Sequence, residues 1–214
     1  MTQDERMRAN LPYFAWLDGL SEARMECKKK IYKYNNLMPD DIVELDKTIK
    51  SIIGKTGKDI HIEQPFRCDY GTNIEVGENF YANYNLTILD VGKVTIGDNV
   101  LIAPNVSIYT AGHPVDAKCR NSGAEYGIDI SIGDNCWIGG NVVIVPGANI
   151  GNNVVIGAGS VVTKDIPDNV IAVGNPCKVL RKITDEDALY YFKDRKFDDE
   201  SLELMKKYDQ AVYE

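Results

Sequence analysis

The sequence predicts an all-β solenoid, a parallel coil of short strands with helical segments at its two ends. Three observations carry this reading. From Val94 the chain divides into sixes: VTIGDN, VLIAPN, VSIYTA and, after a gap, ISIGDN, CWIGGN, VVIVPG, ANIGNN, VVIGAG and SVVTKD. The third position of each six is a β-branched aliphatic: Ile96, Ile102, Ile108, Ile132, Ile138, Ile144, Ile150, Ile156 and Val162. Small residues and Asp-Asn or Gly-Asn pairs follow, as tight corners require. A helix would repeat every 3.6 residues and plain hairpins would alternate over longer strands, so neither fits. Inward aliphatics of successive coils would stack about 4.8 Å apart into one core, because no single repeat buries its own apolar face.

Residues 1–58 read as a helical cap over the open end of the coil, where unpaired strand edges would otherwise face solvent. Thr2 and Glu5 form a capping box, and Pro12 interrupts the first segment. Ser21 is the expected cap of a helix carrying Met25, Cys27, Ile31 and Tyr34. Asp41 and Glu44 open a helix with Ile42, Leu45, Ile49 and Ile52 on one side, and Gly54 is its expected stop. Residues 59–183 read as the solenoid, with Ile62, Cys68 and Ile74 as an irregular lead-in at the same spacing. Residues 184–214 read as a helical tail. It has a Thr184–Asp187 box and a helix from Ser201 to Tyr213 with Leu202, Met205, Tyr208 and Val212 on one face.

Composition narrows the function. The formal net charge of −8 argues against nucleic-acid and anionic-membrane partners, which need a basic surface. No apolar run reaches the roughly 18–20 residues of a membrane span, and MTQDERMRAN lacks the apolar core of a secretory signal, so a cytoplasmic location is expected. Five cysteines without a CxxC argue for reduced thiols used as small hydrophobes, and against a zinc site or a disulfide framework.

The repeat breaks once. Ile108 and Ile132 lie four repeat lengths apart, so the register survives an inserted loop over 110–129. A loop that long inside a compact repeat is usually functional or disordered. It carries His113, one of two histidines, between Gly112 and Pro114. Imidazole can take a proton from a hydroxyl near neutral pH and return it. His61, flanked by Ile60 and Ile62, is expected to face outward as an ordinary surface residue.

The segments NFYANYNLTILD (79–90), VTIGDNVLIAPNVSIYTAGHPV (94–115), IGDNCWIGGNVVIVPGANIG (132–151) and IGAGSVVTKDIPDNVIAVGNPCKVLRKI (156–183) resemble the maltose/galactoside O-acetyltransferases. The likeness runs from about residue 5 to 195. It implies a left-handed parallel β-helix of hexapeptide repeats, acetyl-CoA as co-substrate, no metal, and a homotrimer with its sites between subunits. In that family the matching histidine, His113, deprotonates a sugar hydroxyl that attacks the thioester directly, and the N–H of Gly140 matches the oxyanion donor. The resemblance places the acceptor on Asp69, Tyr81, Asn83 and Asp90, with Asp90 readable also as a turn residue. Glu125 either orients and polarises His113 or is solvated. For the donor, Trp137 offers an apolar wall to the pantetheine arm, or is a surface aromatic. Ala103, Gly139 and Ala158 are small where that arm would lie. Thr163, Lys164, Lys178 and Arg181 suit the phosphates, or are a solvated run.

Three departures stand out. Ala15 falls where family members commonly carry an acceptor-binding aspartate, and Asp18 is the nearest carboxylate. Asp129 replaces the usual proline of "PITIG", which is expected to loosen the end of the loop. Lys178 stands where some relatives have arginine. The same chemistry on an antibiotic or amino alcohol, an acyl-cysteine route through Cys119 and a non-catalytic solenoid are the competing readings. A zinc enzyme would need three histidines per site, and the chain has two.

Overall fold

The computed structural model describes residues 1–211, with side chains through Tyr208. The chain folds as two compact units, residues 1–181 and residues 182 onward.

The first unit is a parallel β-solenoid. Each coil passes three faces in turn. The first face stacks Ile74–Val76, Val94–Ile96, Ile130–Ile132 and Asn149–Ile150. The second stacks Ile60–Ile62, Phe80–Ala82, Leu101–Ile102, Trp137–Ile138, Val155–Ile156, Val170–Val173 and Lys178–Lys182. The third stacks Arg67–Cys68, Thr87–Leu89, Ser107–Tyr109, Val143–Ile144 and Val161–Val162. The repeated aliphatics sit in register: Ile96 on Ile132, Ile102 on Ile138 and Ile108 on Ile144. All are buried, each contributing on the order of 1.5–3 kcal/mol. The register continues across the inserted loop, as the spacing requires.

Asparagine makes the corners. Asn79, Asn85, Asn99, Asn105, Asn135, Asn141, Asn153 and Asn169 all have positive φ, which Asn tolerates better than other residues bearing a Cβ. Their amides ladder from coil to coil, Asn79 to Asn99 at 2.9 Å and Asn85 to Asn105 at 3.0 Å.

Helices Leu20–Asn35 and Ile42–Ile52 close the first coil, and Cys27, Ile31, Tyr34, Ile49 and Ile52 join the solenoid core. The Thr2–Glu5 capping box is present on helix Gln3–Arg8. Two cap assignments change. Gly19, in a left-handed conformation, precedes the second helix; Ser21 lies inside it with its hydroxyl 3.5 Å from the Ala15 carbonyl. Asp41 accepts from the Glu44 N–H at 3.3 Å, but Glu44 turns to Lys33 instead of reaching back. Met25 is exposed, and so is Ile42, while Ile49 and Ile52 of its helix are buried.

In the second unit the Thr184–Asp187 box opens a 3₁₀ turn, Asp185–Leu189. A hairpin pairs Tyr190–Phe192 with Arg195–Lys196, and a helix runs Asp199–Ala211. Val212 and Tyr213 lie outside the described residues. No helix among the described residues is long and apolar enough to cross a membrane.

Candidate active site

The inserted loop is built, not slack. Strand Ala111–Gly112 pairs with Ala124–Gly127, and Tyr13–Phe14 from the N-terminal segment adds a third, antiparallel strand. A short helix, Ala117–Asn121, closes the tip, capped by Asp116. Gly112 lies under the Tyr126 ring, whose atoms stand about 2.5 Å from where a Cβ would be. A side chain there would have to displace the Tyr126 ring beside His113. At the base of the loop, Asp129 Oδ1 accepts from the Lys93 N–H at 2.8 Å. The aspartate therefore ties down the end of the loop that it was expected to loosen.

His113 is exposed, and its Nδ1 lies 3.2 Å from the carbonyl oxygen of Ala124. A carbonyl only accepts, so Nδ1 carries a hydrogen, and in the neutral ring the lone pair is on Nε2. The orienting partner is thus a backbone carbonyl and not Glu125. Neighbouring residues of a strand point opposite ways, and the Glu125 carboxylate accepts from the Tyr13 hydroxyl at 2.8 Å.

Below the loop lies a polar network that the sequence did not announce. Arg24 donates to the Tyr70 hydroxyl at 2.7 Å. Burial raises the Asp69 pKa and the nearby Glu125 charge adds to it, while Arg24 and Lys28 pull it down. Burial, reinforced by the bond to Glu125, raises the Tyr13 hydroxyl. Tyr13, Arg24 and Tyr70 are scattered along the N-terminal segment and first coil. Their only sequence signal is residue type.

Asp90 needs correcting as an acceptor ligand. It is 0% exposed, so no sugar hydroxyl reaches it. Its Oδ1 accepts from the N–H groups of Asp69 and Tyr70, both at 2.9 Å, and Oδ2 has no partner. Burial pushes its pKa up to about 7 against the pull of those two N–H bonds. Asp90 is a corner brace beneath Asp69.

The remaining residues fall on another edge. His113, Asp69, Asp90 and Glu125 gather where the third face turns into the first. Tyr81 and Trp137 lie on the second face, and Asn83, Ala103, Gly139, Gly140 and Ala158 lie where it turns into the third. Tyr81 stacks on His61 at 5.7 Å, and Trp137 is 55% exposed. The Gly139 N–H donates to Ile156 O at 2.8 Å, whereas no hydrogen bond among the described residues uses the Gly140 N–H. Pro104 O is the one atom near where a Gly140 Cβ would stand. Thr163 and Lys164 follow the third face while Lys178 and Arg181 end the second. The four share an end of the solenoid but not a side.

No group of three or more His, Cys, Asp or Glu residues among those described is placed to hold a metal ion. Cys119 is exposed, and Cys27 and Cys68 are buried thiols 3.6 Å apart.

Two family models match: the maltose acetyltransferase hexapeptide capping motif over residues 6–57 and the bacterial transferase hexapeptide over 129–164. The galactoside O-acetyltransferase of Escherichia coli K12 is 50% identical over 196 residues, covering 92% of this chain and 97% of that protein. A solved galactoside acetyltransferase in complex with coenzyme A superposes with a TM-score of 0.90 at 49% identity, covering 92% of this chain and 99% of that one. A maltose O-acetyltransferase from Clostridium difficile 630 superposes with a TM-score of 0.85 at 55% identity, covering 86% of this chain and 99% of that one.

Proposed function

The chain belongs to the maltose and galactoside O-acetyltransferase family, and we propose that it moves the acetyl group of acetyl-CoA directly onto a sugar hydroxyl with His113 as general base. The observation that carries this reading is the ring orientation: with Nδ1 committed to the Ala124 carbonyl, Nε2 is the free base. The relative solved with coenzyme A supports the donor. The relatives named for galactoside and maltose support the acceptor class.

The chemistry follows from these groups. Nε2 of His113 takes the proton of the sugar hydroxyl as its oxygen attacks the thioester carbonyl. The carbonyl oxygen becomes an oxyanion, and the unpaired N–H of Gly140 donates to it. Collapse breaks the C–S bond, and the proton on Nε2 passes to the departing thiolate. Asp69 accepts from sugar hydroxyls beside the base. Tyr81 and Asn83 contribute the opposite wall. Trp137 flanks the pantetheine arm beside Ala103, Gly139 and Ala158. Thr163, Lys164, Lys178 and Arg181 meet the phosphates.

In this reading the site is shared between subunits. The loop hairpin is bound to the N-terminal strand at the third-to-first corner, while Gly140 and Trp137 belong to the second face and its far corner. A homotrimer that sets one subunit's loop against the next subunit's second face is part of the proposal, and the separation of these residues along the solenoid is what supports it. The test is thiol release from acetyl-CoA with glucose, maltose and galactosides, wild type beside His113→Ala. Sugar-dependent release that falls by about 10²-fold or more in the variant is expected. Release that survives the substitution removes His113 from the mechanism.

A further inference from the structure

The N-terminal segment does more than cap the coil. Strand Tyr13–Phe14 pairs with the loop strand in a fixed register, Tyr13 opposite Glu125 and Phe14 opposite Ala124. Ala124 is the residue whose carbonyl holds Nδ1 of His113. Two residues on, Trp16 reaches back onto the loop. Its ring atoms Cη2 and Cζ3 stand 2.2 and 2.5 Å from where a Cβ on Gly123 would be. Gly123 also has φ +83°, a conformation that disfavours any side chain. Phe14 backs the indole edge-on at 5.4 Å. Trp16 nevertheless stays 54% exposed, so its packing is spent on the loop and not on the core.

We propose that Trp16 is a positioning residue that, by seating on Gly123, holds the Ala124 carbonyl where it fixes the tautomer and aim of His113. The inference rests on the reading of His113 as the base. The physical chain is short. Gly123 precedes Ala124 directly, so lifting the indole or the loop by the width of a methyl group shears the Phe14–Ala124 pairing. The carbonyl then leaves Nδ1, and the ring is free to carry its proton on Nε2, where it is no base.

Two measurements on the full chain test this. The first is long-range ¹H–¹⁵N spectroscopy of ¹⁵N-histidine-labelled protein at alkaline pH, which reports the tautomer of each ring. With two histidines in the chain, His113→Ala assigns both signals and His61 serves as an internal control. Wild-type His113 shows the Nδ1–H form. Trp16→Ala and Gly123→Ala each shift it towards Nε2–H and leave His61 unmoved. The second is steady-state kinetics. Each single variant lowers kcat by about ten- to a hundredfold with KM for either substrate held within about twofold. The double variant loses less than the sum of the two single losses, because without the indole the clash is gone and only the backbone strain of an alanine at positive φ remains.

An unchanged His113 tautomer in Trp16→Ala overturns the proposal, and so does a double variant whose losses simply add. A rise in acceptor KM at constant kcat also overturns it, since Trp16 would then touch the sugar. Should wild type show no turnover, the proposed function fails, and the tautomer spectra still decide the role of Trp16. Trp16→Ala removes an exposed ring, so this arm survives if Gly123→Ala does not fold.

Discussion

Asp90 stores a pH dependence in the solenoid. Its pKa is near 3.9 when unfolded and about 7 when folded, chiefly through burial. A carboxyl raised on folding binds its proton more tightly in the native state. Its stabilising contribution is therefore complete below about pH 4 and is lost as pH rises through about 7. The change amounts to about 4 kcal/mol at most. Urea unfolding should show stability falling between about pH 4 and 7 and levelling off above, and Asp90→Asn should flatten that slope because an amide does not titrate. A slope that persists in the variant would assign it to other groups. Gly112, next to His113, gives a second residue-scale test. Gly112→Ala puts a methyl against the Tyr126 ring, so turnover should drop by at least tenfold while the unfolding free energy falls by about 1–3 kcal/mol.

At the scale of elements, the loop behaves as a small three-stranded sheet with a tied base. Asp129→Ala removes the acceptor of the Lys93 N–H. It should cost about 1 kcal/mol and speed amide exchange at Lys93, with the deeper coils unaffected. Exchange unchanged at Lys93 would show that the carboxylate does not hold this corner. The solenoid was legible because a side chain that must point inward on every coil leaves a period in the sequence. The Thr2–Glu5 box was legible because capping is local. The strand Tyr13–Phe14 was not. It is two residues long, and its partner Ala124–Glu125 lies more than a hundred residues away, so no local pattern records the pairing. The Ala124 carbonyl was hidden for another reason: a backbone oxygen has no residue type to read, so Glu125 stayed open as a partner of His113 or a solvated residue. Asp90 was misread because an aspartate at a corner looks the same facing the site or braced beneath it.

For the whole molecule, the outward residues divide the faces sharply. The first face shows Glu75, Thr95, Ser131 and Asn149, while the second shows His61, Tyr81, Leu101, Trp137, Val155 and Ile171 in one register. Leu101 and Trp137 are half-exposed on that second face. An apolar row of this kind is what a neighbouring subunit would cover, and it adjoins the residues assigned to donor and acceptor. Composite sites make a prediction that sites within one chain do not. His113→Ala lacks a base but keeps its second face. Trp137→Ala has the base and a damaged second face. In a homotrimer of composite sites, the two impaired proteins unfolded together, refolded and assembled at random give trimers in which about a quarter of the interfaces join an intact loop to an intact face. Activity should reappear on mixing and grow with the fraction of mixed trimers. A mixture as inactive as its parents would mean that each chain completes its own site, and the loop would then have to reach across the third face to the Gly140 edge.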